Sequence, residues 1–172
     1  MLGGYYCYYI CSMRPLSIGI DKAREKIKYY CGYQERTHQE VRDKLYSFGI
    51  RGGEVEQLLS EMIQENYLNE ERFVIAFVGG KFRMKQWGRV KIKLALQQKR
   101  ISTYCVKLGL KEIDEADYQA TLQKLAKKKL ASLKGEKNIF ITMSKLRNYL
   151  LQKGYESPLV MNVVNELTQK NK

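Results

Sequence analysis

Apolar residues recur along this chain at the spacing of helix faces. Val41 and Leu45 lie four residues apart, which places them on one side of a helix, and Gly49 follows where that helix would end. Long stretches mix Leu with Lys, Glu, Gln and Arg and lack the strict alternation of apolar and polar residues that is typical of strands. The chain has only two prolines, Pro15 and Pro158, so few positions interrupt a helix. The pattern predicts an all-α fold.

The helical pattern occurs three times. When the sequence is shifted by 51 and then by 54 residues, three segments superimpose, and six aligned positions are apolar in every copy. Each copy therefore predicts a helix, a short turn and a second helix. The six aligned sets are Val41, Ile92 and Leu146; Leu45, Leu96 and Leu150; Ile50, Ile101 and Tyr155; Val55, Val106 and Val160; Leu59, Leu110 and Val164; and Met62, Ile113 and Leu167.

Local signals support helix boundaries at these places. Thr37 and Glu40 have the spacing of a capping box at a helix start. Gly49 and Gly154 suit the left-handed residue that follows a helix, and Ser157 comes directly before a proline at a helix start. The three turns are predicted at residues 49–50, 100–101 and 154–155.

A further helix precedes each helix pair, at residues 21–30, 70–85 and 118–133. Asn69 is placed to cap the second of these, and residues 134–138 predict the clearest loop. We therefore predict three tandem three-helix repeats, at residues 15–69, 70–117 and 118–172, which stack into an elongated or curved array. Residues 1–14, apolar and rich in tyrosine, are interpreted as a disordered or misassigned leader, with Met13 as an alternative start.

Two glycines fit poorly with the second predicted helix. Gly79 and Gly80 fall inside residues 70–85, where each would cost about 1 kcal/mol relative to alanine. We expect either a bend in the helix at this point or the close approach of another backbone.

The positive charge of the chain is concentrated in its middle. The formal net charge is +13, and residues 71–111 hold 11 Lys and Arg against a single Glu. Charge runs usually form a solvated helix surface, but here the repulsion has almost no compensating acid, which favours an anionic partner. The candidate phosphate contacts, several of which would share one helix face, are Lys81, Arg83, Lys85, Arg89, Lys91, Lys93, Lys99 and Arg100.

Four aromatic residues lie within or beside the basic stretch, and two interpretations stay open for them. Their rings could stack on exposed bases, or they could anchor the packing of the helices. Core packing is the favoured interpretation for a small helical unit. The residues are Tyr67, Phe82, Trp87 and Tyr104.

No catalytic or metal-binding pattern is present in the sequence. His38 is the only histidine, and no phosphate-binding glycine loop or nucleophile motif occurs. Acidic clusters at residues 70–71 and 112–117 could hold Mg²⁺, but carboxylates that favour helix starts explain them more simply. We expect a protein that is not an enzyme and has no cofactor.

The cysteines and the leader predict where the protein works. The four cysteines lack the spacing of a metal site, so we expect reduced thiols that pack in the interior of a cytoplasmic protein. The leader lacks a basic start and is too short to span a bilayer, so no membrane association is expected. We expect a monomer. The cysteines are Cys7, Cys11, Cys31 and Cys105.

The central part of the chain holds a set of segments that occur together in one protein family, at residues 67–73, 76–78, 81–83, 87–88, 91–92, 96 and 99–101. These segments resemble the middle repeat of the RecX family, and the turns at 45–50 and 150–155 resemble those of its outer repeats. The resemblance covers residues 15–168, and Arg100 departs from it, standing where a turn glycine is usual. Gly79 also departs, at a position more often polar or charged.

The resemblance implies both a fold and a function. It implies tandem three-helix repeats that bind in the helical groove of the RecA recombinase filament on single-stranded DNA. It also implies modulation, usually inhibition, of strand exchange and ATP turnover, with a role in DNA repair and the SOS response. The alternative is an independent DNA-binding protein that uses its helix pairs as helix-turn-helix units. Repeated helix pairs without one defined recognition helix favour the regulator.

Overall fold

The computed structural model describes residues 17–133, 135–136 and 138–169. Within these residues the protein consists of nine α-helices joined by short turns, without strands, so the all-α prediction is confirmed. The predicted leader lies outside the described residues. The helices are α1 (Ile20–Tyr33), α2 (His38–Ser47), α3 (Gly53–Gln64), α4 (Glu70–Lys85), α5 (Arg89–Gln98), α6 (Thr103–Lys111), α7 (Glu115–Ala131), α8 (Ile139–Lys153) and α9 (Ser157–Gln169).

The helix starts follow the capping signals of the sequence. Helix α4 coincides with the predicted range, and the side chain of Asn69 accepts a hydrogen bond from the Arg72 amide at 2.9 Å, as expected of a cap. Helix α7 begins three residues earlier than predicted because Asp114 caps it in the same way, at 2.9 Å from the Asp117 amide. The loop predicted at residues 134–138 falls between α7 and α8.

The turn inside each repeat has the same hydrogen-bonded form. Gly49, Arg100 and Gly154 occupy equivalent positions and have positive φ angles of 81°, 58° and 91°. The residue that follows each of them donates its amide to a leucine carbonyl five residues earlier. This is the Schellman motif, in which one left-handed residue reverses the chain and satisfies the last carbonyls of the helix. Arg100 therefore adopts a conformation that favours glycine.

The described chain divides into two compact units, each with its own core. The first unit includes α1, α3 and most of α2, and the second includes α4 to α9. Ile27, Leu45 and Met62 are fully buried in the first core, while Leu96, Tyr118 and Leu150 are fully buried in the second. The second core thus contains residues from both the second and the third repeat. Of the residues in the six aligned sets, all are buried except Leu110 and Leu167, which are partly buried.

The second and third repeats meet where α5 begins and α8 ends. The amide of Gly88 donates to the carbonyl of Lys153 at 2.9 Å, and the amide of Val90 donates to that of Gly154 at 3.0 Å. A Cβ atom on Gly88 would lie 2.2 Å from the Gly154 carbonyl oxygen, so only glycine permits this approach. The close approach of two backbones occurs here, at the junction of the repeats.

Of the two alternatives expected at Gly79 and Gly80, the close approach of another backbone is wrong. Helix α4 continues through both residues, and a Cβ on Gly80 would meet nothing within 4 Å. At Gly79 the nearest atoms are those of the Arg83 guanidinium, one turn further along the same helix. A Cβ on Gly80 would thus lie in open space, whereas a Cβ on Gly79 would lie 2.8 Å from the Arg83 guanidinium.

Two further features concern the interior and the membrane. Cys31 and Cys105 are buried, as expected of packing thiols, and burial raises the pKa of the Cys105 thiol. Cys7 and Cys11 lie outside the described residues. No helix in the described ranges has the length and apolar character needed to cross a bilayer.

Candidate functional site

The eight candidate basic residues extend from the end of α4, through α5, into the turn that follows it. Arg83, Lys85, Lys93 and Arg100 are exposed, whereas the other four are partly buried. Partial burial of a lysine stem against a ring leaves its charged head available to a ligand. The four partly buried residues are Lys81, Arg89, Lys91 and Lys99.

Two of these lysines meet at the only tryptophan of the chain. The ammonium groups of Lys81 and Lys91 lie 5.1 and 4.8 Å from the centre of the Trp87 ring. Lys81 also lies 5.0 Å from the Phe77 ring. Cation–π contacts at such distances are worth roughly 0.5–1 kcal/mol at exposed sites, so they hold the lysine heads beside the rings without removing their charge.

The row of rings and lysines continues along the second repeat. The rings of Phe73 and Phe77 are stacked with their centres 5.7 Å apart, and Lys99 lies 5.8 Å from the Phe73 ring. Phe73 is buried while Phe77 and Trp87 are partly buried, so the rings anchor the row to the core.

The third repeat extends this row across the junction. Lys91 donates through Nζ to the Gln152 carbonyl at 3.2 Å, and Lys153 donates to the Lys85 carbonyl at 3.3 Å. The ammonium groups of Lys153 and Lys129 lie 5.9 and 5.5 Å from the centre of the Tyr149 ring. We call the whole row the lysine–aromatic strip: Phe73, Phe77, Lys81, Trp87, Lys91, Lys99, Lys129, Tyr149 and Lys153.

The contribution of the third repeat does not follow from the distribution of charge along the sequence. Lys129 and Lys153 lie outside the segment of highest charge, so they were not among the candidates. A signal was present in the repeat alignment, because Lys153 occupies the position equivalent to Lys99, directly before the turn. Only the contact between α5 and α8 shows that these equivalent positions contribute to one surface.

Four lysines of the strip have no acidic partner in the part of the chain that the structure describes. Within the described part of the chain, Lys81, Lys91, Lys129 and Lys153 contact rings and backbone carbonyls and form no ion pair. Ammonium groups that converge without carboxylates attract a polyanion, and this attraction weakens with salt.

Arg89 is engaged differently from the other candidates. Its guanidinium pairs with Glu115 at 2.7 Å and lies 4.1 Å from the centre of the Tyr118 ring. Its amide donates to the Tyr118 hydroxyl at 3.0 Å, and that hydroxyl donates to Glu156 at 2.6 Å. The hydrogen bond from Arg89 lowers the pKa of Glu115, while burial and Glu156 raise the pKa of Tyr118. Arg89 therefore fastens the second repeat to the third.

The aromatic candidates also separate by position. Phe82 is 9% exposed and packs against Tyr118 with ring centres 5.9 Å apart, so it is a core residue. Trp87 is partly buried against the same core. Tyr104 is 65% exposed, and Tyr67 lies in the first unit with Lys28 over its ring.

The acidic clusters have structural partners. Glu70 accepts a hydrogen bond from the Ser102 hydroxyl at 2.9 Å, and Asp114 caps α7. In the described ranges, no group of three or more His, Cys, Asp or Glu side chains is arranged to hold a metal ion.

Tandem three-helix units, two of which share a basic surface, define a helical-repeat protein. Family models described as the second and third three-helix domains of RecX match residues 69–110 and 115–164. The crystal structure of RecX from Lactobacillus salivarius superimposes with a TM-score of 0.76 at 25% identity, over 86% of this chain and 96% of that one. The chain belongs to the RecX family of regulatory proteins.

Curated relatives agree with this assignment. Regulatory protein RecX of Clostridium perfringens strain 13 is 34% identical over 77% of this chain and 62% of its own length. Regulatory protein RecX of Prosthecochloris aestuarii is 29% identical over 85% of this chain and 93% of its own. The chain thus spans 62% of the length of the first relative and nearly all of the second.

Proposed function

We propose that this chain regulates the RecA recombinase, and usually inhibits it, by binding the RecA filament on single-stranded DNA and modulating strand exchange and ATP turnover. The lysine–aromatic strip is the observation that carries the proposal, because four of its lysines, Lys81, Lys91, Lys129 and Lys153, have no acidic partner among the described residues. Its lysines come from the second and third repeats, so the contact spans both.

The surface of the strip favours this function over that of a simple helix-turn-helix protein. A helix-turn-helix protein concentrates its base contacts on one recognition helix, which enters a groove of the DNA. Here the lysines come from the end of α4, from α5, from α7 and from the end of α8. Lysines distributed over several helices suit an extended ligand better than a short base sequence.

Two double variants with equal loss of charge test the proposal. Lys81→Gln with Lys91→Gln removes two lysines of the strip, while Lys107→Gln with Lys111→Gln removes two exposed lysines of α6 as a control. Because each phosphate contact on single-stranded DNA adds about −0.7 to the slope of log K against log[salt], the strip variant should flatten that slope by about 1.4. The α6 variant should change it much less.

Binding should be measured on RecA-coated and on bare single-stranded DNA between roughly 50 and 200 mM salt, together with RecA ATP turnover. Tighter binding to the coated strand supports the regulator, and equal or tighter binding to bare DNA supports the alternative of an independent DNA-binding protein. If the strip variant is folded, as circular dichroism would show, and its salt slope and inhibition are those of the unchanged chain, the strip is not the contact.

A further inference from the structure

A second group of rings and lysines lies in the first unit and belongs to a part of the sequence outside the segment of highest charge. These side chains line a groove with a volume of about 510 Å³ between α1 and the end of α2. Phe48 is partly buried, whereas Tyr29 is 78% exposed and so has its ring open to solvent. We call this group the repeat-1 cradle, and its lining residues are Glu25, Lys26, Tyr29, Tyr30, Lys44 and Phe48.

The charges of the cradle favour an anionic ligand. The ammonium groups of Lys26 and Lys44 lie 5.7 and 5.1 Å from the centre of the Phe48 ring, and Lys44 lies 5.7 Å from the Tyr30 ring. Within the described residues neither lysine forms an ion pair. Glu25 is the single carboxylate on the lining, so the two lysines outnumber it.

Two arginines of the same unit are paired with carboxylates instead. Arg24 binds Glu61 at 2.7 Å, and its hydrogen bond lowers the pKa of that carboxyl. Arg42 binds Glu56 at 2.9 Å. The lysines of the cradle thus differ from these two arginines, because they contact aromatic rings and not carboxylates.

We propose that the repeat-1 cradle is a binding site for unpaired bases of single-stranded DNA, with Tyr29 as the stacking platform and Lys26 and Lys44 as phosphate contacts. Exposed rings beside unpaired lysines are the combination that binds single strands, because each base offers a flat face and each linkage a negative charge. Bases inside a duplex are already stacked, so the cradle does not suit double-stranded DNA. The inference rests on the proposed function only in taking DNA as the nucleic acid.

Two tyrosines on one helix provide a matched test. Tyr29 and Tyr33 are both 78% exposed on α1, but only Tyr29 lines the cradle. Binding of fluorescently labelled oligo(dT) to the full chain should weaken about 5-fold or more in Tyr29→Ala, as expected for the loss of one stacked base. Tyr33→Ala should bind like the unchanged chain, and both variants should remain folded because the side chains are on the surface.

An abasic oligonucleotide of the same length separates stacking from charge. We expect Tyr29→Ala to weaken binding of oligo(dT) but not of the abasic strand. We also expect an oligo(dT) that carries a photo-reactive thymidine analogue to crosslink to residues of the cradle. Equal effects of the two tyrosine variants, or crosslinks only elsewhere, would overturn it. Binding of labelled polyglutamate that weakens in Tyr29→Ala as much as oligo(dT) binding does would indicate an acidic peptide as the occupant and would also overturn it.

The two proposals can fail separately. If Lys81→Gln with Lys91→Gln abolishes filament binding while Tyr29→Ala leaves oligo(dT) binding unchanged, only the cradle is refuted. If Tyr29→Ala weakens oligo(dT) binding while the chain shows no preference for RecA-coated DNA, only the proposed function is refuted.

Discussion

The junction between the second and third repeats should be sensitive to a single methyl group. In Gly88→Ala the new Cβ would lie 2.2 Å from the carbonyl oxygen of Gly154 and 2.4 Å from the amide nitrogen of Tyr155. Both contacts are far shorter than van der Waals distance, and both partners are backbone atoms that cannot rotate away. Gly88 itself has φ −77° and ψ 164°, angles that alanine adopts readily, so the cost comes from the clash alone.

The size of the effect follows from what the clash must break. Moving the two backbones apart removes the hydrogen bonds from Gly88 to Lys153 and from Val90 to Gly154, which are 2.9 and 3.0 Å long. Two such bonds contribute about 1–3 kcal/mol, and overpacking of a tight contact costs a similar amount. We expect a loss of about 2–4 kcal/mol in the free energy of unfolding, which is a large share of the total stability of a domain.

Gly80→Ala is the matched control, because it is the same substitution in the same repeat. A Cβ on Gly80 meets nothing within 4 Å and lies inside α4, so the variant should be more stable by about 0.5–1 kcal/mol. Urea unfolding followed by circular dichroism and by the fluorescence of Trp87, the only tryptophan, measures both variants. A Gly88→Ala protein as stable as the unchanged chain, or less harmed than Gly80→Ala, would refute this account of the junction.

Two further predictions concern the turn of the second repeat and the ion pair of Arg89. Arg100→Gly should raise the free energy of unfolding by about 1 kcal/mol, because Arg100 has φ 58°, which glycine adopts without strain. Lys99→Gly is the control: Lys99 has φ −82°, so this change should lower the stability by about 0.5–1 kcal/mol. Equal shifts of the two variants in thermal unfolding would contradict this. The pKa of Glu115 is lowered from 4.5 by Arg89, so the pair stabilises the fold above that pH and this contribution is lost as the pH falls through the lowered value. Glu115→Gln should therefore be less stable than the unchanged chain at pH 7 and equal to it in strong acid, and a difference in melting temperature that does not change with pH would count against the pair.

The sequence alone determined the repeat and its turns, because these depend on interactions between near neighbours. The spacing of Val41 and Leu45 defines a helix face. Each copy also has a leucine at the position of Leu45 and an apolar residue directly after the left-handed residue of the turn. A Schellman turn needs only a left-handed residue and a carbonyl five positions before the residue that follows it, so its position can be predicted from a short segment. For the same reason the cap at Asn69 was predictable, and Arg100 could be identified as the unusual turn residue.

Only the tertiary structure decided which charged residues share a surface. Arg89 belongs to the same basic run as Lys93, yet Glu115 and Tyr118 engage it, and these partners come from a helix of the next repeat. Conversely, Lys153 joins the strip because the end of α8 docks against the start of α5. Contacts between residues so far apart in the chain depend on the packing of whole helices, which allows Gly88 and Gly154 to meet. Helix periodicity describes the face of each helix but carries no information on which other helix that face will contact.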